Sequence, residues 1–323
     1  MTERLETLRG HMLERDGQRY LLLGREGQRR ALLVVRDFTR PAPRLDAPVA
    51  GLYPQEPDGN RAGYERNVEA LRGRELRSLD GLAGRHRGRP GFLVASGPSL
   101  ERNAAHLAEA PEGSVVLAVN SAARHVPRPT YYMAVDFIGN RAWVDGIDLS
   151  ASTALLLAFA APWLAEVPFR EIRWFRPTYL SGAPEQEIGR REFPRLDMLD
   201  CMNHVAFTAL HFLYLAGCDP IVLVGADYSY RPDRYHAGSS AMPDPVGRPI
   251  EVRDVHGEPV LVDRLLYQAL VAFQGACWFV GRERRLVNAT EGGVLDSPAV
   301  AREPLAAVVA RLRESPSSGT FAP

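Results

Sequence analysis

Gly91-Phe92-Leu93-Val94-Ala95-Ser96-Gly97-Pro98-Ser99-Leu100 opens with an apolar run and turns sharply at Ser96-Gly97-Pro98. It continues into a helical pattern with Leu100, Ala104, Leu107 and Ala108 on one face. The run has the length of a buried parallel strand. A strand, a tight glycine turn and a helix start make a phosphate-binding arrangement. Gly97 would let the backbone approach an anion without a clashing side chain. Ser96 or Ser99 can cap the helix or donate to a phosphate oxygen. An ordinary strand-to-helix turn with a serine cap accounts for the same stretch, because a short glycine motif is weak evidence by itself.

From Gly91 onward, apolar runs alternate with helical patterns. The runs predict strands at 91–96, 115–119, 131–136, 153–159, 171–175, 220–226 and 276–281. The periodic segments predict helices at 100–109, 139–146, 203–217, 263–275 and 302–314. Such alternation predicts an α/β fold: a Rossmann-like, doubly wound, mostly parallel sheet. Ligands in that architecture sit beyond the carboxyl ends of the strands, where strand order reverses.

Upstream, Tyr20–Leu23 and Ala31–Val35 flank Arg25-Glu26-Gly27-Gln28 and read as a β-hairpin. Arg40 to Gly63 is rich in Pro and Gly, and Tyr64 to Leu82 reads as a helix with Leu71, Leu76, Leu79 and Leu82 buried. His86-Arg87-Gly88-Arg89-Pro90 marks a boundary. The predicted organisation is a small N-terminal α+β appendage at 1–86, a nucleotide-binding catalytic domain at 87–314 and a flexible tail at 315–323.

Several polar residues fall at the predicted carboxyl edge. Asp136 and Asp227 each end an apolar strand, so both should project into one crevice. Paired there, they could hold Mg²⁺ against a diphosphate, hydrogen-bond sugar hydroxyls, or cap the following turn. Asn120 ends the second strand and can bond a nucleotide or cap the next turn. Asn203 is a good N-cap for the helix that follows Cys201-Met202. Tyr228, Tyr230, Arg231, Arg234, Tyr235 and His236 crowd the loop after Asp227 and read as a substrate loop. His236 could serve as a base with a pKa near neutrality, or be a plain surface histidine. Thr290-Glu291-Gly292-Gly293 offers successive N–H groups suited to an anion nest, or forms a simple exit loop. His211, in the middle of a helix, reads as a packed core residue.

Ser96-Gly97-Pro98-Ser99-Leu100 after an apolar strand resembles the MptE-like family. That family includes archaeal 6-hydroxymethylpterin diphosphokinases and the Maf flagellin glycosyltransferases. The stretch is also similar to the nucleotide loop of bacterial sialyltransferases, which share the topology. Val119-Asn120, Ile221–Asp227 after Ala216-Gly217, and Asn288–Gly293 carry the likeness onward, from about Asn67 to Gly293.

The resemblance implies a nucleotide-dependent transferase. In its glycosyltransferase branch the donor is a CMP-activated nonulosonic sugar and the acceptor a sugar or protein hydroxyl, with His236 as base and no cofactor required. Ser96, Gly97, Pro98, Ser99, Asn120, Asn203, Thr290, Glu291 and Gly292 would contact the nucleotide, and Asp136 and Asp227 would position donor and acceptor. In its diphosphokinase branch ATP gives diphosphate to a pterin-like alcohol, with Mg²⁺ on Asp136 and Asp227. The N-terminal region, with the helix carrying Asn67, looks more like the glycosyltransferase side. A nucleotide-binding module without catalysis is the third reading.

Composition bounds these readings. The chain of 323 residues is 46% hydrophobic and 24% charged, ordinary for a folded protein, and its formal net charge is +0. No global field therefore draws it to nucleic acid or anionic membrane. The arginines between Arg72 and Arg89 are interrupted by Glu75 and Asp80, and read as a solvated face. All its basic residues are arginine, which excludes a Walker-type lysine and any Schiff base. Cys201, Cys218 and Cys277 lack metal-ligand spacing and read as buried thiols. The charged N-terminus has no signal-peptide apolar stretch, and the longest apolar run, Ala154 to Ala161, is too short for a bilayer. This predicts a cytoplasmic protein; a homo-oligomer is compatible with the same composition.

Overall fold

The computed structural model describes residues 10–15, 18–23, 31–34, 61–178, 184–201, 204–239 and 248–314. The 315–323 tail, most of the stretch from Arg40 to Gly63, and Asn203 lie outside the described residues. Near the N-terminus, β1 (Gly10–Arg15), β2 (Gln18–Leu23) and β3 (Ala31–Val34) form an antiparallel sheet in that order. The predicted hairpin is its β2–β3 half, pairing Leu21 with Leu33. Helix α1 (Arg61–Leu71) follows.

The core begins at β4 (Gly91–Val94), followed by α2 (Leu100–Asn103) and a 3₁₀ turn over Ala104–Glu109. Strands β5 (Val115–Val119), β6 (Tyr131–Ala134), β7 (Thr153–Leu157) and β8 (Glu171–Thr178) come next. Then come α3 (Pro184–Glu192), β9 (Met198–Asp200), α4 (Val205–Leu215) and β10 (Ile221–Val224). A hairpin of β11 (Ile250–Arg253) and β12 (Pro259–Val262) leads into α5 (Arg264–Val280). The chain then forms β13 (Leu286–Asn288), β14 (Ala301–Arg302) and α6 (Leu305–Glu314).

The central sheet has the order β14-β13-β10-β4-β5-β6-β7-β8-β9, and its pairs are parallel. Phe92, Leu93, Val94, Leu117, Tyr132, Met133, Leu155, Val222 and Leu223 are fully buried, as strands covered on both faces must be. Helix α4 packs on β4, β5 and β6 and against α5, while α6 packs on the turn at 104–109. Strand order runs outward from β4 through β9 and then returns to place β10 on β4's other side. The reversal therefore lies between β4 and β10, and the glycine turn sits at its carboxyl end.

Several predicted elements change. The apolar run 276–281 is the end of α5, not a strand, and the strand is β13. A short apolar run does not distinguish a buried strand from a buried helix turn. The helix predicted over 64–82 stops at Leu71, and Gly73 follows with φ 78°. Only a 3₁₀ turn, Arg141–Trp143, occupies the helix predicted at 139–146; the Asn140 side chain accepts from Ala142 N at 3.0 Å. Helix α1 is stitched to the core: Asn67 Nδ2 donates to the carbonyls of Phe137 and Phe159, both at 2.7 Å. Tyr64 packs on the rings of Phe137 and Phe159 at 4.9 and 5.6 Å. Cys201, Cys218 and Cys277 are buried, and none of them forms a disulfide among the described residues. His211 is buried, and its Nδ1 accepts from Asp200 N at 2.9 Å.

Candidate active site

The glycine turn is closed from below by Asp227. Ala95 N donates to Val224 O at 2.8 Å and Gly97 N to Gly225 O at 2.9 Å, which ties the turn to the end of β10. A Cβ on Gly97 would lie 2.0 Å from Asp227 Oδ2 and 2.6 Å from Gly225 O. The space that glycine leaves open is therefore filled by a carboxylate, where the sequence predicted room for an anion. The Asp227 carboxylate accepts from Ser99 N at 3.2 Å and from Ser99 Oγ at 2.7 Å. Ser99 neither caps α2 with its side chain nor keeps a hydroxyl free for phosphate. Pro98 lines a small cleft with Arg102, Asp227, Ser229, Arg231 and Asp254.

Burial pushes the Asp227 carboxyl up to about 6, and nearby Asp254 adds to this. The two Ser99 hydrogen bonds and the Arg102 charge pull the other way. The gap from the ordinary value of 3.8 corresponds to about 3 kcal/mol. Because its folded pKa is raised, Asp227 holds a proton in the folded state between about 3.8 and about 6 that the unfolded chain has lost. Its contribution to stability therefore falls as pH rises through that window. Asp227→Asn keeps the shape, and the Ser99 hydroxyl can turn to accept from the new amide. The variant is expected to gain stability over the parent between pH 4 and pH 7, by up to about 3 kcal/mol. Urea unfolding across that range checks it; a parent–variant difference that does not change with pH would refute it.

The loop after Asp227 folds back over the turn. Ala237 N donates to Ser96 O at 2.9 Å and Gly238 N to Glu101 Oε1 at 2.5 Å, while Arg234 pairs with Glu101. Together these contacts bring His236 Nδ1 within 3.3 Å of Ser96 Oγ. The Tyr235 ring meets His236 edge-on at 4.7 Å and Tyr230 at 4.8 Å, and burial lowers the His236 pKa from 6.5. Tyr230 also exchanges backbone hydrogen bonds with Leu261 of β12, which ties the loop to the hairpin. Tyr228 is buried between His204 and Phe273, both at ring distances of 5.1 Å. Burial drives the Tyr228 phenol up and holds His204 near 4, so both are neutral at pH 7; the charge of nearby His236 also lowers His204. Of the two arginines on the loop, Arg234 is consumed by Glu101 and Arg231 is exposed at the cleft.

Backbone strain gathers at the same edge. Asn120, Tyr228 and Glu291, just beyond β5, β10 and β13, have φ of 48°, 53° and 57°. Side chains other than glycine hold this conformation only where their surroundings impose it. Asn120 Oδ1, His125 Nε2, His204 Nδ1 and the Tyr228 hydroxyl are buried there without a hydrogen-bond partner among the described residues. Orphaned polar atoms on a strained edge are what a polar ligand would satisfy.

Other residues singled out in the sequence are engaged structurally. Thr290 Oγ1 accepts from Ala226 N at 3.1 Å. Glu291 Oε1 accepts from Leu305 N at 3.0 Å and from Asn103 Nδ2 at 3.3 Å, and its carbonyl takes a bond from Arg102. Gly292 packs on Arg102 and Ser99. Asp136 turns inward on its own loop, accepting from Ile138 N at 2.9 Å and Gly139 N at 3.2 Å. The expectation that Asp136 and Asp227 could hold one Mg²⁺ between them is corrected by the sheet order. Strands β6 and β10 are separated by β4 and β5. Three strand spacings make about 14 Å, too far for one ion to bridge. Among the described residues no group of three or more His, Cys, Asp or Glu is gathered as a metal site needs. No local signal marks Glu101 as the latch of the loop, because its partners lie more than a hundred residues away.

No protein-family model matches the chain, and no curated protein matches it. Among solved structures it is similar to the Maf glycosyltransferase from Magnetospirillum magneticum AMB-1, with a TM-score of 0.57 and 14% identity. The match covers 76% of this chain and 38% of that one, so the chain spans well under half the length of the protein it resembles. At that identity the likeness is one of fold, a mostly parallel α/β sheet.

Proposed function

We propose that the chain is a glycosyltransferase that moves a sugar from a nucleotide-activated donor to a hydroxyl acceptor, with His236 as general base. One observation carries this reading: His236 is brought to the glycine turn at the sheet reversal by a loop pinned to Ser96 and Glu101. The fold likeness to a Maf glycosyltransferase supports the reaction class. The donor that fits best with the family resemblance is a CMP-activated nonulosonic sugar, and the acceptor a sugar or protein hydroxyl. In the reaction the acceptor O–H proton passes to the histidine as its oxygen bonds to the anomeric carbon. The bond from that carbon to the donor phosphate breaks, and its electron pair leaves with the nucleotide. A histidine kept neutral by burial can take a proton at neutral pH. Asn120 and Tyr228 offer unsatisfied polar atoms to the donor.

Diphosphate transfer from ATP requires a shared ion on Asp136 and Asp227, and the strand order argues against that pairing. No described helix is long and apolar enough to cross a membrane, and we propose a cytoplasmic site of action. A thermal-shift panel of CMP, CDP, AMP, ATP and GTP, each with and without Mg²⁺, tests the reading. CMP at a hundred times its Kd should stabilise by about 2.7 kcal/mol without metal. For a domain of this size that is a rise of roughly 5–10 °C. Stabilisation by ATP only when Mg²⁺ is present would replace the proposal with diphosphate transfer. Binding of CMP with no release of CMP from any CMP-sugar would leave a nucleotide-binding module.

A further inference from the structure

We infer that Glu101 is a positioning residue for His236: its two carboxylate oxygens clamp the loop on either side of the histidine and hold the ring at the glycine turn. This rests on the transferase reading for its meaning but not for its test. Arg234 and Gly238 stand two residues before and two residues after His236. Glu101 Oε2 accepts from the Arg234 guanidinium, and Glu101 Oε1 accepts from Gly238 N at 2.5 Å. Each partner belongs to a different turn. Arg231 and Arg234 exchange backbone hydrogen bonds, both at 3.0 Å, and close the first. Ser239 N donates to His236 O at 3.2 Å and closes the second. Tyr235 and His236 join the two turns, so one carboxylate spanning both sets where the imidazole stands.

Glu101 is itself held in place. Leu100 beside it is fully buried, and Asn103 Nδ2 of the same short helix donates to the carbonyls of Ala289 and Thr290 at 2.9 and 3.2 Å. A surface ion pair between Glu101 and Arg234 alone would hold little. The Gly238 bond adds a backbone N–H, a donor with no rotamer freedom, on an ionised acceptor. The loop's other ties do not bracket the ring: Ala237 N on Ser96 O follows it, and Tyr230 on Leu261 lies six residues before it. Around His236 itself, Tyr235 meets the ring edge-on and Ser96 Oγ lies 3.3 Å from Nδ1. Burial keeps nearby His204 neutral, and His125 lies beneath Gly238. None of these four joins the two turns as Glu101 does.

The test is an NMR pH titration of the His236 ring in the full chain, with its signals assigned by their loss in His236→Ala. In the parent, burial lowers the His236 pKa from 6.5. Glu101→Ala removes both oxygens, so the ring gains water and its pKa should rise toward 6.5. Loss of a nearby negative charge alone acts with the opposite sign, because it disfavours the imidazolium and lowers the pKa. Glu101→Gln keeps an acceptor for Gly238 N without the charge, so its His236 pKa should stay at or below the parent's. With CMP-N-acetylneuraminate as probe donor, Glu101→Ala should lower turnover about 10- to 100-fold, the worth of one hydrogen bond to a charged group. Its KM for that donor should stay within a few-fold, and Glu101→Gln should recover most of the rate. A His236 pKa in Glu101→Ala that stays with the parent's or falls overturns the inference. So does parent-like turnover of Glu101→Ala where the parent is active. Should Glu101→Ala not fold, Glu101→Asp decides by the same upward shift, because it keeps the charge and is one methylene too short to reach both partners. A raised His236 pKa in Glu101→Ala with no transferase activity in the parent would sink the proposed function and leave this inference standing.

Discussion

Gly97→Val is expected to abolish stable folding, and Gly97→Ala to lower Tm by about 10 °C. The reason is the atom that fills the place of the missing side chain. A Cβ at Gly97 falls 2.0 Å from Asp227 Oδ2, 2.6 Å from Asp227 Cγ and 2.6 Å from Gly225 O. Contacts so short force something to move, and one of the obstacles is backbone. Overpacking of this kind costs about 1–3 kcal/mol. Pushing the Asp227 carboxylate aside also breaks its two bonds from Ser99 and leaves buried groups unpaired, which costs a further 1–3 kcal/mol or so. Against a total stability of about 5–15 kcal/mol, the alanine variant stays folded and the bulkier valine does not. At roughly 2–4 °C per kcal/mol in a domain of this size, the alanine loss is the Tm shift stated.

A double-mutant cycle sharpens the test. Asp227→Ala removes the nearer obstacle, so the pair Gly97→Ala/Asp227→Ala should be less unstable than the sum of the single changes. The expected coupling is about 0.5–3 kcal/mol. Gly225 O remains in the way and keeps the rescue partial. Calorimetry of the four proteins gives the answer. A Gly97→Ala protein that melts with the parent would show that the turn has room and that the carboxylate is not its floor.

That glycine shows where the sequence was readable and where it was not. The apolar strand 91–94, the glycine turn and the place of both in a parallel sheet were legible, because burial on both faces leaves a continuous apolar run. The reason for the glycine was not legible. Asp227 lies far along the chain, and nothing local to Ser96-Gly97-Pro98 signals that a carboxylate will stand behind it. The Asp136–Asp227 pair failed for the same cause: each was rightly placed beyond its strand, but strand order decides which ends are neighbours. The loop after Asp227 was recognisable by its tyrosines, arginines and histidine. Its docking onto Glu101 and Ser96 came from pairings across more than a hundred residues. The run 276–281 was misread for a local reason, since five apolar residues fit the buried face of α5 as well as a strand.

His236→Ala is expected to lower turnover of a nucleotide-sugar donor by about 10²–10⁴-fold, the usual worth of a general base. Donor affinity should stay within a few-fold, because the residue acts on the acceptor proton and not on the nucleotide. Among the described residues of the loop nothing else replaces it: Arg234 is tied to Glu101, Tyr228 is a buried phenol and Tyr235 a half-buried one, and burial raises the pKa of both. His204 is near, but burial holds its pKa near 4, which makes it a weak base, and its Nδ1 is enclosed. The pH profile carries the sign. Burial keeps the His236 pKa below 6.5, so the ring is neutral and active above that value and protonated only at lower pH. The parent rate should be flat from about pH 7 upward and fall on an acid limb below pH 6.5. The alanine variant should lose that limb along with the rate.

Stability moves in step. The unfolded chain protonates this histidine at a higher pH than the folded one does, so the parent loses stability as pH falls below 6.5. His236→Ala removes that term, and the variant should hold up better than the parent against acid while being nearly inactive at every pH. Stopped assays of CMP release from CMP-N-acetylneuraminate, run beside urea unfolding at the same pH values, read both quantities. Near-parent turnover with an intact acid limb in His236→Ala would place the base elsewhere, and Asp227, whose carboxyl titrates near 6 at the same turn, would be the next residue to change.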